Sequence, residues 1–295
     1  MPTRATFYRR VLDSLSAANI PFLIGGAFAL CRHVGVTRGT GDLDLMVCEE
    51  DWPVIAQTLR RQGIVTKLVF PHWLGKALAL RAQVDIIFNG GNGATPVTRD
   101  WFAFATPAKL MGHHVLLCPP EELLWSKAFV MERERFDGGD VLHLLRALAH
   151  RLDWERLLCR FRGNEAVLRA HLILFGFVYP GEASQVPASV DARLAAAMAT
   201  ERVPPDLCRG TLLSRAQYLT DIEQGGYRDA RLPPFGKLTD RAWLTWTNAI
   251  NSTASRVRPG RRRSAPRRTS QIAETSRQDA GLDEDRFDHD AAACE

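Results

Sequence analysis

Three aspartates carry the chemical interest of this chain, because an apolar strand tolerates a carboxylate poorly unless something offsets its charge. Asp42 and Asp44 lie in Gly41-Asp42-Leu43-Asp44-Leu45-Met46-Val47, where polar and apolar residues alternate. A period of two projects both carboxylates to one side of a strand, with Leu43 and Leu45 facing the core. Asp85 interrupts the otherwise apolar run Val84-Asp85-Ile86-Ile87-Phe88. Adjacent carboxylates repel, and the simplest compensation is a divalent cation; hard oxygen donors favour Mg²⁺, with Mn²⁺ as a substitute. If the strands are neighbours, Asp42, Asp44 and Asp85 form one cluster able to hold two ions about 4 Å apart for phosphoryl or nucleotidyl transfer. Upstream, Gly25-Gly26 ends the short apolar run Phe22-Leu23-Ile24. A strand that breaks at a glycine pair and opens a helix presents backbone N–H groups to phosphate. A glycine pair alone is more often a tight turn; its combination with a Thr-rich loop, D-x-D and a later buried aspartate is the specific pattern. In that loop, Arg38 and Thr40 either touch phosphate oxygens or structure the loop.

Hydrophobic periodicity supplies the elements that must position these residues. Phe7, Val11, Leu12 and Leu15 predict a helix over 5–19 that stops at Asn19 and Pro21. A strand follows over 22–24, a helix over 27–33, a Gly- and Thr-rich loop over 35–41 and a strand over 42–47. A helix over 51–62 tolerates Pro53 in its first turn. Strands are expected over 65–70, 76–80 and 83–88, the last closed by Asn89-Gly90-Gly91-Asn92-Gly93. The run 114–118 then meets Pro119-Pro120-Glu121-Glu122, a good helix start, and that helix should reach about residue 132. Beyond it, helices are expected over 141–149, 154–160, 167–175, 190–199, 212–223 and 241–250. The fold class is therefore α/β (α+β). A small mixed-sheet core is expected over 1–118, followed by a helical region over 119–250 that is expected to complete the site and, where the site transfers a group, to bind the acceptor.

The chain has 295 residues, 46% hydrophobic and 24% charged, which excludes collagen-like, mucin-like and wholly disordered classes. Its six cysteines are widely scattered, without a C-x-x-C pair, and read as reduced thiols of a cytoplasmic protein. The apolar stretch 20–31 follows Arg4, Arg9 and Arg10, but Asp13, Asn19 and Pro21 intrude, and the stretch falls short of the roughly 20 residues a membrane span needs. No membrane partner is expected. From Arg256 onward nine arginines face eight acidic residues, so most of the net charge of +5 belongs to the body, where it suits an anionic substrate. Residues 251–295, Arg-rich and then acidic, read as a solvated, disordered tail; the alternative is an RNA or DNA tether through Arg261-Arg262-Arg263 and Arg267-Arg268. His113, His114, His143 and His150 receive no role, and Trp243 and Trp246 read as packing residues.

The glycine pair followed by D-x-D on the next strand resembles the signature of the DNA polymerase β-like nucleotidyltransferases over residues 20–145. Within that superfamily, Arg38-Gly39-Thr40-Gly41-Asp42-Leu43-Asp44-Leu45 is similar to the R-x-T-x-D-x-D-L of the minimal bacterial type, including the AbiEii/AbiGii toxin-like proteins. Leu117-Cys118-Pro119-Pro120-Glu121-Glu122-Leu123-Leu124-Trp125-Ser126-Lys127 resembles that group's strand, S-P-E-x-L and lysine helix. Arg135-Phe136-Asp137-Gly138-Gly139-Asp140 resembles its R-x-D-x-x-D segment. The resemblance implies transfer of an NMP from an NTP, ATP among the candidates, to a hydroxyl acceptor: an RNA or tRNA end, a protein or a small molecule. It implies Asp42 and Asp44 as metal ligands, Asp85 as third ligand or base, Gly25, Gly26 and Lys127 toward the nucleotide, and Asp137 and Asp140 in support. The group's K-x-x-A-x-x-x-R helix is not reproduced, since the arginine after Lys127 falls at the shifted positions Arg133 or Arg135. On residue chemistry alone, Lys127 could equally be a snorkelling lysine, and Asp137 and Asp140 a loop residue and a helix N-cap. A silent nucleotide- or RNA-binding module of the same fold is the alternative function, and a restraining antitoxin is a further implied partner.

Overall fold

The computed structural model describes residues 3–36, 39 and 41–256, without the side chains of 250–256. Helix α1 (Arg4–Ala17) turns Phe7, Tyr8, Val11, Leu12 and Leu15 inward and starts where the Thr3 hydroxyl accepts the Thr6 N–H at 3.2 Å. Strand β1 (Leu23–Ile24) breaks at Gly25 into α2 (Gly26–Val34), which stops at Gly35 in the left-handed conformation. There follow β2 (Leu43–Met46), α3 (Trp52–Arg61), β3 (Val65–Phe70), β4 (Leu74–Leu78) and β5 (Gln83–Ile87). The short α4 (Asp100–Ala103) leads to the hairpin of β6 (Thr106–Leu110) and β7 (His113–Leu117), then α5 (Pro120–Ala128). A small hairpin, β8 (Met131–Glu132) and β9 (Arg135–Phe136), precedes α6 (Gly138–Leu148), α7 (Trp154–Arg160), α8 (Glu165–Val178) and α9 (Ala188–Thr200). The last described elements are β10 (Leu207–Cys208), α10 (Gly210–Leu213), α11 (Leu219–Glu223), β11 (Arg228–Asp229) and α12 (Asp240–Arg256).

Among the described residues the first seven strands make a mixed sheet in the order β3-β4-β5-β2-β1-β7-β6, the α/β architecture expected. The pairs β2/β5 and β1/β7 run parallel and the other pairs antiparallel. The pleat sorts the sheet's side chains onto two cores. Ile24, Leu43, Leu45, Ala77, Val84, Ile86, Val115 and Leu117 pack with α1 and α3 on one face. Leu23 and Met46 pack with α2 and with α4 through α9 on the other. Asp44 and Asp85, out of phase with Leu43, Leu45, Val84 and Ile86, belong to this second face.

Met1–Asn251 form one compact unit and Ser252–Glu295 a second. The disorder expected of the tail falls on residues outside the described ones from 257 onward. Among the described residues no helix is long and apolar enough to cross a membrane.

Besides the short elements α4, β10 and β11, three differences from expectation have a visible cause. Strand β6 is not among the expected strands; its Pro107 is tolerated at the sheet edge, where β6 pairs with β7 alone. The helix expected to reach 132 ends at Ala128, and the chain turns into the β8/β9 hairpin, closed by the Asp137 N–H donating to the Val130 carbonyl at 3.0 Å. The helix expected over 212–223 is two short pieces, α10 and α11. Between them the Ser214 hydroxyl donates to Glu132 at 2.5 Å, and the Arg215 N–H donates to the same carboxylate at 3.2 Å. A tertiary anchor replaces helical continuation there.

Candidate active site

Strand register assembles the site in one lateral row. Lys76 of β4 lies opposite Asp85 of β5, and Asp85 opposite Asp44 of β2. The Gly25 N–H, where β1 gives way to α2, donates to the Asp44 carbonyl at 2.9 Å. Facing residues of paired strands share a side, so Lys76, Asp85 and Asp44 project together. Asp42, two residues before Asp44, accepts a hydrogen bond from the Gln83 side-chain amide at 3.3 Å.

The glycine pair is required by close approach and by backbone conformation. Gly26 has φ +53°, in the left-handed region, and a Cβ there would overlap the Asp44 carboxylate. The carboxylate therefore lies directly against the start of α2, whose first N–H groups have no intrahelical acceptor. Burial, then repulsion from Asp85 and Asp42, pushes the Asp44 carboxyl up to about 6 against the pull of Lys127 and Arg135. Burial also raises Asp85, although Lys76 opposes it through a hydrogen bond and its charge.

Asp85 has a cation of its own. Lys76 Nζ reaches its two carboxylate oxygens at 2.8 and 3.1 Å. Asp42, Asp44 and Asp85 share the face as expected, yet among the described residues no three His, Cys, Asp or Glu side chains converge as a preformed metal cage. The donor set of Asp42 and Asp44 nonetheless suits a hard divalent ion: paired carboxylate oxygens, one of them raised by burial and like charge.

A second charged cluster stands beside Asp44. Lys127 of α5 is buried, and its ammonium donates to Asp137 at 3.1 Å and to Asp140 at 2.6 Å. Arg135 of β9 clasps Asp137 through two hydrogen bonds of 2.8 Å. Burial alone would raise Asp137, but Arg135 and Lys127 together hold its carboxyl below the usual range. Lys127 is thus not a snorkelling lysine, and Asp137 and Asp140 are more than a loop residue and a cap: Asp137 occupies the N-cap position of α6 without making a side-chain cap bond. The cluster's two cations act on Asp44 as fixed positive charges. Arg38 and Thr40 lie outside the described residues.

Sequence reasoning passed over Lys76, Gln83 and Tyr8 and gave Arg135 no definite role. Lys76 was legible, being the lone charge in Leu74-Gly75-Lys76-Ala77-Leu78, one tight turn from the strand that carries Asp85. Gln83 follows from the same register. Arg135 appeared in the motif, but its contact with Asp137 depends on the hairpin. Tyr8 left no signal: its hydroxyl, donating to the Gly41 carbonyl at 3.1 Å, steadies the entry to β2 from the far face of the sheet. Burial raises that phenol, Arg4 lowers it, and the three aspartates add to the rise.

No protein-family model matches the chain, and no curated protein does. Among solved structures the chain is similar to the antibiotic-resistance factor ANT(2'')-Ia, with 19% identity, a TM-score of 0.39, and coverage of 58% of this chain and 98% of that one. It is also similar to an antigenic nucleotidyltransferase-like protein from Paracoccidioides brasiliensis, with 17% identity, a TM-score of 0.41, and coverage of 61% and 90% respectively. Likeness this loose does not fix an activity.

Proposed function

We propose that this protein is a nucleotidyltransferase that moves an NMP from an NTP to a hydroxyl acceptor and releases pyrophosphate. One observation carries the reading: the carboxylates of Asp42 and Asp44 share a sheet face with Asp85, and Asp44 lies against the glycine-opened N-terminus of α2. Asp42 and Asp44 would hold Mg²⁺, which when bound supplies charge neutralisation to the triphosphate and the departing pyrophosphate. The first N–H groups of α2 bind phosphate oxygens in the positive end of the helix field. Lys127, fixed by Asp137 and Asp140, contributes positive potential. As the acceptor oxygen bonds to the α-phosphorus, the bond from that phosphorus to the bridging oxygen breaks, and the acceptor proton passes to Asp85 where that residue serves as base. The helical region over 119–250 forms the acceptor side. A cytoplasmic location and a restraining antitoxin, as in the toxin-like members of the superfamily, belong to the same reading.

One observation favours a second reading, a catalytically silent nucleotide- or RNA-binding module: Lys76 already satisfies the third carboxylate. The two separate in one experiment. Purified protein, Mg²⁺ and each α-labelled NTP are incubated with a cell lysate, with Asp44→Ala as control, and the protein, RNA and small-molecule fractions are then counted. Label entering one fraction, absent with the variant, identifies both the transfer and the acceptor class. Nucleotide binding without label or pyrophosphate in any fraction establishes the silent module.

A further inference from the structure

Helix α8 carries more apolar surface than the core uses. From Ala166 to Val178 its only charged residue is Arg169. Leu168, His171 and Phe175 turn inward and are buried. On the opposite side Ala166, Ala170, Ile173, Leu174, Phe177 and Val178 recur at spacings of three and four and are exposed, Ile173 by 65% and Phe177 by 82%. The exposed ring of Phe136 stacks on His171 of the same helix and borders this stripe. A helix that is apolar on every side is ordinarily buried on every side, and a continuous exposed apolar face marks a surface that another chain covers.

The order of residue sizes along the stripe identifies the occupant. Ala166 and Ala170 leave the N-terminal half of the helix shallow, while Ile173, Leu174, Phe177 and Val178 make the C-terminal half bulky. A second α8 lying antiparallel, related by a twofold axis near Leu172, sets Leu174 of each copy over Ala170 of the other, and Phe177 and Val178 over Ala166. Bulk then meets a shallow surface at both ends, as close packing requires. A parallel pair would set Phe177 against Phe177 and leave a void between the alanines. The antiparallel arrangement also brings the positive end of each helix, with Arg162 and Arg169 near it, toward the carbonyl end of the other, with Glu182 just beyond. The six side chains expose on the order of 500 Å² in each copy, so two such faces together bury about 1,000 Å², the size at which specific interfaces begin. We propose that α8 is a self-association face, through which two copies of this chain pair α8 against α8, antiparallel, in an isologous dimer. The inference is independent of the nucleotidyl-transfer reading.

Sedimentation velocity of the full chain, from about 1 to 100 µM, tests this, because dissociation constants of interfaces near the lower size limit fall in that range. Wild type is expected to sediment as a dimer at the upper concentrations. Phe177→Glu is expected to weaken the dimer at least about a hundredfold with an unchanged circular dichroism spectrum, since Phe177 is exposed and a buried unpaired carboxylate opposes association. A size exchange reads the pairing itself. Ala170→Leu sets leucine against Leu174 at both symmetry-related contacts and should weaken the dimer at least about tenfold; adding Leu174→Ala in the same chain restores the match and should return it to within about threefold of wild type. Both exchanges fall on exposed positions, which keeps the test decisive should Phe177→Glu fail to fold. A wild type that stays monomeric at 100 µM, its face left to another protein or to the chain beyond 256, overturns the inference. So does a folded Phe177→Glu that dimerises like wild type, or a double exchange weaker than Ala170→Leu alone.

Discussion

Two charged clusters meet beside α2, and they are built on opposite terms. In the cluster of Lys127, Asp137, Asp140 and Arg135 every side chain has an opposite charge in contact, and Asp137 is held below the ordinary carboxylate range. In the row of Asp42, Asp44 and Asp85 the carboxylates stand side by side, Lys76 is engaged with Asp85, and Asp44 is pushed up to about 6. The first cluster is complete without a ligand. The second stores like-charge repulsion at a glycine-opened helix N-terminus, so it is there that a cation and a phosphate would lower the energy.

The contrast breaks most visibly at Asp44. Asp44→Ala should reduce nucleotidyl transfer by at least about a thousandfold, on the order of 4 kcal/mol in the transition state, while its metal-free melting temperature stays at or above that of wild type. Labelled-NTP turnover and a melting curve in chelator check both halves. Lys127→Met should instead destabilise the fold by about 3 kcal/mol, because two buried carboxylates lose a shared cation. Denaturant titration reads that loss, and an unchanged midpoint would show the second cluster to be dispensable.

A pH titration sharpens the comparison. The folded protein holds a proton on Asp44 up to about 6, above the ordinary aspartate value of 3.8, so protonation favours the folded state. That stabilisation is fully present below about 4 and is lost as pH rises through 6, amounting to on the order of 3 kcal/mol in metal-free buffer. The difference in stability between wild type and Asp44→Asn should therefore slope across pH 4–6 and flatten above it. Added Mg²⁺ should shift this slope to lower pH, since the ion competes with the proton. At the helix entrance, Gly26→Ala should cost at least about 1 kcal/mol from the left-handed backbone alone, with the overlap of its Cβ and the Asp44 carboxylate added to that. The accompanying shift of the Asp44 carboxylate should weaken Mn²⁺ binding as well.

Much of the sheet was legible because short apolar runs with period two leave few alternatives: strands over 65–70, 76–80 and 83–88 match β3, β4 and β5 to within a few residues. The helices around Lys127 were harder to delimit. Nothing local ends α5 at Ala128; the β8/β9 hairpin does, by returning Asp137 to Lys127. Likewise the break between α10 and α11 depends on Glu132, more than 80 residues away in sequence.

The amino-acid pattern by itself determined that Asp42 and Asp44 share a face, that a glycine pair opens the helix before them, and that Asp85 interrupts an apolar strand. These are consequences of strand and helix periodicity, which act over a few residues. Only the tertiary structure decided which strands are neighbours, and with that the order of charges across the sheet. The parallel pairing of β2 with β5 sets Asp85 beside Asp44, and the antiparallel pairing of β4 with β5 sets Lys76 beside Asp85. Strand order is a global property of packing two cores on one sheet, and the balance of charge at the site follows from it.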